Sequence, residues 1–384
     1  MKCRLRGLAG RRAPVAAVCA MAAGLAAAQA GSVDADALKA RFAHEVAFRA
    51  AAIHVAWGAE ALCDHVTEIE PFVLWSVHAA RRSLSAAELE QLRLATGMDG
   101  RWRVAWLDEA APDGLNLGDV VTAVNDRPLP GGNTRFDPTA VFSGNSPLAN
   151  DDQGFWDVLL KAREQAAEGV AMHITLADGR RLAVDTQTGC AGSVTASAFD
   201  SRPDEFWRLG NQRARIPANA MLEANSRDEF LWLAAFGTYF QASRAAIGGV
   251  RQNESLGTAF TIGKVLALAL PGGNLLLSSV EALTQRTLEV DRVVGGADLF
   301  ANEVVAALGG DPAAGLRLNQ RLGARGLKVD ALLMSDFRRS SSAEHVRQLT
   351  LLRAAQAAAE AVADKAEDEG AARPNLEVRA LPVR

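Results

Sequence analysis

The stretch Ser226 to Ser243, S-R-D-E-F-L-W-L-A-A-F-G-T-Y-F-Q-A-S, decides how the second half of the chain is read. Ser226 and Glu229 have capping-box spacing: a hydroxyl to cap a helix start and a carboxylate one turn on that reaches back. An apolar run follows, so the spacing predicts a helix. Leu233, Phe236, Gly237 and Phe240 fall at i, i+3, i+4 and i+7 and share one face of it. Rings at that spacing are ordinarily core packing. The alternative is an apolar pocket for a peptide or lipid segment, lined by Leu233, Phe236 and Phe240 with Leu283 and Val290.

Those last two residues belong to the next predicted helix, which starts at Ser279, an N-cap residue, and reaches Leu308. Val280, Leu283, Thr287, Val290 and Val294 form its apolar stripe. Asp311-Pro312 predicts another helix start, with an N-cap and a proline in the first turn. Ala354 to Ala363 reads as an Ala-rich helix and Lys365 to Arg384 as a loose tail.

Upstream, the pattern changes twice. Val33 to Ala95 reads as helical, with Ser85 to Leu94 a short capped helix. From Arg101 the chain alternates through Trp102, Val104 and Trp106 and continues D-E-A-A-P-D-G-L-N-L-G-D-V-V-T-A-V-N-D-R-P-L. Gly118 turns the chain into a strand and Asn125-Asp126 closes a tight turn. Gly131 to Asp152 reads as a loop, Phe155 to Ala167 as an amphipathic helix, and Ala171 to Asp185 as a hairpin closed by Asp178-Gly179.

Two family resemblances rest on these residues. The 101–190 stretch resembles a bacterial PDZ core, S-P-A-x-x-A-G-L-x-x-G-D-x-I-x-x-V-N-G-x-P-V, through Ala110, Gly114, Leu115, Gly118, Asp119, Val124, Asn125 and Pro128. The Ser226 helix resembles the active-site helix of HtpX/BepA-type zinc metallopeptidases, D-E-L-A-x-x-L-A-H-E-x-x-H, through Asp228, Glu229 and Ala235. Glu289 and Asp291 match the family's E-x-E-A-D segment, and Asp311, Pro312, Ala314, Arg321 and Leu322 match its D-P-x-A-A segment. Arg338 to Glu344 stands where the family has T-H-P-S.

The chemistry departs from that frame. A zinc protease needs two imidazoles one helical turn apart, a third ligand and a carboxylate base for the bound water. The resemblance puts the first His over Phe236, the Glu over Gly237, the second His over Phe240 and the third ligand over Thr287. No two of the six His, His44, His54, His65, His78, His173 and His345, stand three or four apart, and no C-x-x-C occurs. Gly257 to Val265 mimics a phosphate loop but has Val265 where Ser or Thr must hold magnesium.

Composition and targeting set the compartment. The chain has 384 residues, 49% hydrophobic and 22% charged, a net charge of -4, and so no electrostatic footprint for nucleic acid. Lys2, Arg4, Arg6, Arg11 and Arg12 precede an apolar run from Val15 to Ala28. Ala28-Gln29-Ala30 then offers a small-x-small cleavage site, the form of an export signal. A lipid anchor through Cys19 is the alternative, against which Val18 stands where a small residue is wanted. No later stretch approaches a transmembrane helix. Cys63 and Cys190 would remain after cleavage, an even number in an oxidising compartment, and are expected to form one disulfide.

The expected organisation is therefore α+β: a PDZ-like small β module followed by a mainly helical metallopeptidase-like domain. The boundaries are 1–30 signal peptide, 31–100 N-terminal helical region, 101–190 PDZ-like module, 191–355 peptidase-like domain without metal ligands, and 356–384 Ala-rich helix and tail. The expected function is non-catalytic, without cofactor or metal: binding or scaffolding of envelope proteins or unfolded polypeptide segments in the periplasm. The rivals are an active zinc metalloendopeptidase with a rearranged site and a binder of small ligands or peptides in the vacated cleft.

Overall fold

The computed structural model describes residues 34–130, 151–242 and 294–368, apart from positions 64, 81, 82, 200–202, 205, 210–212, 328 and 330. The export signal, Leu283, Thr287 and Val290 lie outside the described residues.

Helix α1 (Ala35–Gly58) opens the fold, its first turn capped by the Asp34 carboxylate. Strands β1 (Val66–Ile69) and β2 (Phe72–Trp75) follow, then α2 (Ala86–Thr96), closed by a full capping box from Ser85 and Glu88. Next come β3 (Arg103–Leu107), β4 (Val121–Val124), the two-residue β5 (Arg127–Pro128) and α3 (Asp151–Ala167). Strands β6 (Met172–Leu176), β7 (Arg181–Val184), β8 (Gln187–Cys190), β9 (Ser193–Thr195), β10 (Trp207–Leu209) and β11 (Arg213–Arg215) lead to α4 (Ala218–Glu223) and α5 (Arg227–Ala242). Helical residues 294–307 (α6), α7 (Ala314–Ala324) and α8 (Asp336–Asp368) complete the described chain. The architecture is mixed α and β with small sheets, as the α+β expectation requires.

The strands form four small sheets. One has the order β5-β4-β6-β7, all antiparallel; β2 pairs with β3, β1 with β8, and β11 lies between β10 and β9. The β4–β5 turn is built as the sequence predicts: Asn125 and Asp126 both have positive φ, at 46° and 61°, which Asn and Asp tolerate better than most residues. The β6–β7 hairpin closes at Gly179, whose φ of 88° places it in the left-handed region.

Two cores result. The smaller joins Phe72, Leu74, Val104, Val121, Phe155 and Ile174, with Trp102 stacked on Phe155 at a ring-centroid separation of 3.9 Å. The larger gathers α1, α2, α4, α5, α6 and α7 around residues such as Trp75, Phe199, Trp232 and Leu318. A third cluster, Ile53, Ala56, Ile69 and Val73, joins α1 to the β1–β2 corner.

Four expectations are corrected. The 31–100 region is not helical throughout, because Val66–Ile69 and Phe72–Trp75 are strands. All four residues of β2 are buried, so the run carries no period-2 signature that would separate it from a buried helix segment. Because β2 pairs with β3 and contributes Phe72 and Leu74 to the smaller core, that unit begins before residue 101. Asp311 is not the N-cap of α7. Its carboxylate instead accepts the Ala313 N–H at 2.9 Å, which closes a turn, and the helix starts at Ala314. Finally, residues 336–368 form one helix of 33 residues, so the Ala-rich stretch is not a separate helix and the helix runs past Lys365, the predicted start of the tail. No Gly or Pro interrupts that stretch.

Buried charge ties the layers together. Glu45 on α1 is fully buried and its carboxylate accepts from Arg49 (2.6 Å), Trp75 Nε1 (2.9 Å) and the Ala198 backbone N–H (2.9 Å). One carboxylate thereby fixes α1, β2 and the segment after β9. Glu45→Gln keeps one acceptor oxygen and turns the other into a donor facing donors. We expect it to cost about 1.5–3 kcal/mol, the scale of a hydrogen bond to a charged group, read as a lower urea midpoint at unchanged slope. An unchanged midpoint would show that these contacts add no net stability.

Candidate functional site

Helix α5 is positioned from its first turn. Ser226 Oγ accepts the Glu229 N–H at 3.3 Å, the first half of the predicted capping box. The Glu229 carboxylate reaches back one residue further than that motif predicts, to the Asn225 N–H at 2.8 Å, and takes Arg321 of α7 at 2.5 Å. Asp228 accepts the Asp311 N–H at 2.9 Å. The acidic residues that carry the resemblance thus do structural work, Asp228 tying α5 to the segment before α7 and Glu229 tying it to the last turn of α7, and both satisfy N–H groups left open outside helices.

Beyond that turn the helix is walled in. Leu233 and Phe236 are fully buried and Phe240 is nearly so. Phe236 stacks with Trp232 at 5.4 Å and meets Phe206 and Phe240 edge-on at 6.0 and 5.4 Å. Such ring pairs add to the burial of apolar area. At Gly237 a Cβ would lie 2.6 Å from Val194 Cγ1 and 3.2 Å from Ile216 Cδ1. Glycine is therefore needed there for close approach of α5 to the β9 and β11 ends, not for its backbone freedom.

The neighbouring helices enclose the same helix. Trp232 Nε1 donates to Asn302 of α6 at 3.0 Å, and Asn302 Nδ2 donates to Ser342 of α8 at 2.9 Å. Gly315 of α7 lies so close to Trp232 that a Cβ there would sit 2.2 Å from the indole. Helices α6 and α8 run side by side in the same direction, with Asp298 bound bidentately by Arg338 at 2.8 and 2.9 Å.

The described His residues are scattered. His44 bonds the Ala40 carbonyl within α1, His173 bonds the Ala171 carbonyl, and His345 lies 3.3 Å from Glu303. Among the described residues no group of three His, Cys, Asp or Glu is arranged to hold a metal ion. His54 and Asp108 form a pair at 2.9 Å, beside the rings of Trp57 and Trp106. Burial opposes the charge on Asp108, but hydrogen bonds from His54 and the Ala110 N–H hold its carboxyl below the usual carboxylate range. The pair staples α1 to the end of β3.

Cys63 and Cys190 are joined, with Cα atoms 5.6 Å apart, as the sequence predicts. The bond fastens the turn after α1 to the end of β8. No helix among the described residues is long and apolar enough to cross a membrane.

Sequence reading did not single out Arg49, Glu70 and Arg163. Arg163 on α3 binds Glu70, which follows β1, through two hydrogen bonds of 2.7 and 2.6 Å, and both side chains are buried. The Glu45–Arg49 spacing of i,i+4 is readable in sequence. The Glu70–Arg163 partnership, spanning 93 positions, carries no local signal. Comparisons of the chain with protein-family models, with curated proteins and with solved structures found no match.

Proposed function

We propose that this chain is an exported, non-catalytic protein on a zinc-peptidase-like frame, and that it binds or scaffolds envelope proteins or unfolded polypeptide segments. The observation that carries the non-catalytic part is the packing of α5. The positions that the resemblance gives to two imidazoles and a base hold buried rings and a glycine pressed against Val194. Such a face has neither the ligands nor the room for a bound water. Export rests on the N-terminal signal pattern, and a disulfide in the fold agrees with it. The PDZ-like reading draws support from the Asn125-Asp126 turn, the antiparallel β4, β6 and β7, and the helix α3 between β5 and β6.

The test is metal analysis of the purified protein, run beside a casein-cleavage assay and an assay for suppressed aggregation of an unfolded client protein. Expected are substoichiometric zinc, no chelator-sensitive cleavage, and suppression that saturates with added protein. Stoichiometric zinc with chelator-sensitive cleavage overturns the non-catalytic reading. Absence of suppression removes the support for client binding.

A further inference from the structure

A cavity of about 60 Å³ lies between α1, the β1–β2 corner and α3, and Phe236 and Phe240 are not among its walls. Ile53, Ile69, Val73, Phe155, Leu159 and Val194 make it largely apolar. Three charged residues also line it: Arg49, Glu70 and Arg163.

The charges are not equivalent. Glu70 and Arg163 are both buried and satisfy each other bidentately. Arg49 is held at its tip by Glu45, which is not a wall of the cavity, and more loosely by the Leu74 carbonyl at 3.4 Å. Its Nε–H is buried and has no hydrogen-bond partner. Buried donors are almost always paired in folded proteins, by protein groups or by bound molecules. The walls therefore leave one cationic donor in want of an acceptor, in a space otherwise suited to hydrocarbon. With Glu45 on Arg49 and Glu70 on Arg163 the charges balance, so it is the cationic character of the open Nε–H donor, not a net charge, that makes a carboxylate its strongest acceptor.

Size narrows the ligand further. A water needs roughly 10–15 Å³, so the cavity has room for about four to six. That is too little for a drug-sized molecule and well under the ~150 Å³ of a cavity that holds benzene, so it suits only a short-chain acid. We propose that this cavity binds a small apolar monocarboxylate. Its carboxylate accepts from Arg49 Nε, and its hydrocarbon body lies against Ile53, Val73 and Leu159. The site borders α5 through Thr238 and Val194 but does not use Phe236 or Phe240, so its test is independent of whether the chain binds envelope proteins.

The experiment titrates the purified protein with propionate and isobutyrate, and with the neutral propionamide and 1-propanol, by calorimetry and thermal shift. Saturable binding of the acids is expected, with the neutral analogues about tenfold weaker, the scale of one charge-assisted hydrogen bond. Two variants locate the site. Ala52→Leu fills the cavity from α1, and Arg49→Lys keeps a cation beside Glu45 while removing the Nε donor. Each is expected to weaken propionate binding by about tenfold or more, and the second stands should the first fail to fold. Equal affinity for acids and neutral analogues, no saturation, or binding unchanged in a folded variant overturns the proposal. So does tighter binding of an extended peptide with an amidated C-terminus, which would make the opening a docking edge for a strand.

Discussion

Breaking the Cys63–Cys190 bond is expected to cost about 4–5 kcal/mol of stability, the chain-entropy value for a loop of this length. The two cysteines stand 127 positions apart, so the bond removes a large share of the unfolded chain's freedom. It closes at a junction that noncovalent contacts also hold. β1 pairs with β8 from Val66↔Cys190 to Ile69↔Gln187, and Gly189 lies against the α1 backbone, where a Cβ would sit 2.7 Å from the Ala56 carbonyl oxygen. Reduction therefore leaves the native contacts in place and acts mainly on the unfolded state. Two signatures follow in urea. The midpoint falls by about 2 M at a slope typical of small domains, and the slope itself rises because the reduced chain exposes more surface when unfolded. The double variant Cys63→Ser/Cys190→Ser should match the reduced protein. A midpoint unchanged by reductant, with reduction verified by thiol alkylation, would show that the junction holds through β1–β8 alone and that the loop is already restricted when unfolded.

What the sequence revealed follows from the range of the interactions involved. The Asn125-Asp126 turn was legible because a positive φ at two successive residues selects Asn and Asp locally. The Ser85 and Ser226 caps were legible because a cap spans only one turn. The run Phe72–Trp75 was not, since a strand buried on every side has no alternation to read. Its neighbours decide its state: Phe72 and Leu74 join the smaller core, Val73 meets α1, and Trp75 joins the larger core. Glu45, Glu70 and Arg163 were invisible as buried groups for a related reason. A charged residue is read as surface until its partner is known, and here the partners arrive from distant segments. At the α5 face, the i, i+3, i+4, i+7 pattern identified which residues share a side. It did not show that Gly237 is held by Val194 and Ile216, because that contact depends on how β9 and β11 meet the helix.

Rebuilding the zinc-peptidase pattern on α5, by Phe236→His, Gly237→Glu and Phe240→His together, is expected to abolish cooperative folding rather than to create a metal site. Each ring replacement removes buried aromatic packing; truncating a buried Phe costs about 3–5 kcal/mol, and an imidazole recovers only part of that. Phe236 matters most, since it touches Trp232, Phe206 and Phe240 at once. Gly237→Glu adds two further penalties. Its Cβ would overlap Val194 Cγ1, and overpacking a full core costs about 1–3 kcal/mol. Its carboxylate would then stand among apolar side chains, where an unpaired charge costs several kcal/mol more. The sum approaches or exceeds the roughly 5–15 kcal/mol by which a domain is stable. Bound zinc would return some of that, but the position that the resemblance gives to the third ligand holds Thr287, not a carboxylate. Gly237→Ala alone isolates the steric part and should lower stability by about 1–3 kcal/mol. Circular dichroism through a urea titration, with and without zinc, reads both. A triple variant that unfolds cooperatively near the parental midpoint and takes up stoichiometric zinc would mean that the metal frame survives intact. On the proposed non-catalytic reading, the departure from the peptidase pattern would then be a matter of four side chains, the fourth being Thr287, rather than of a helix face committed to packing.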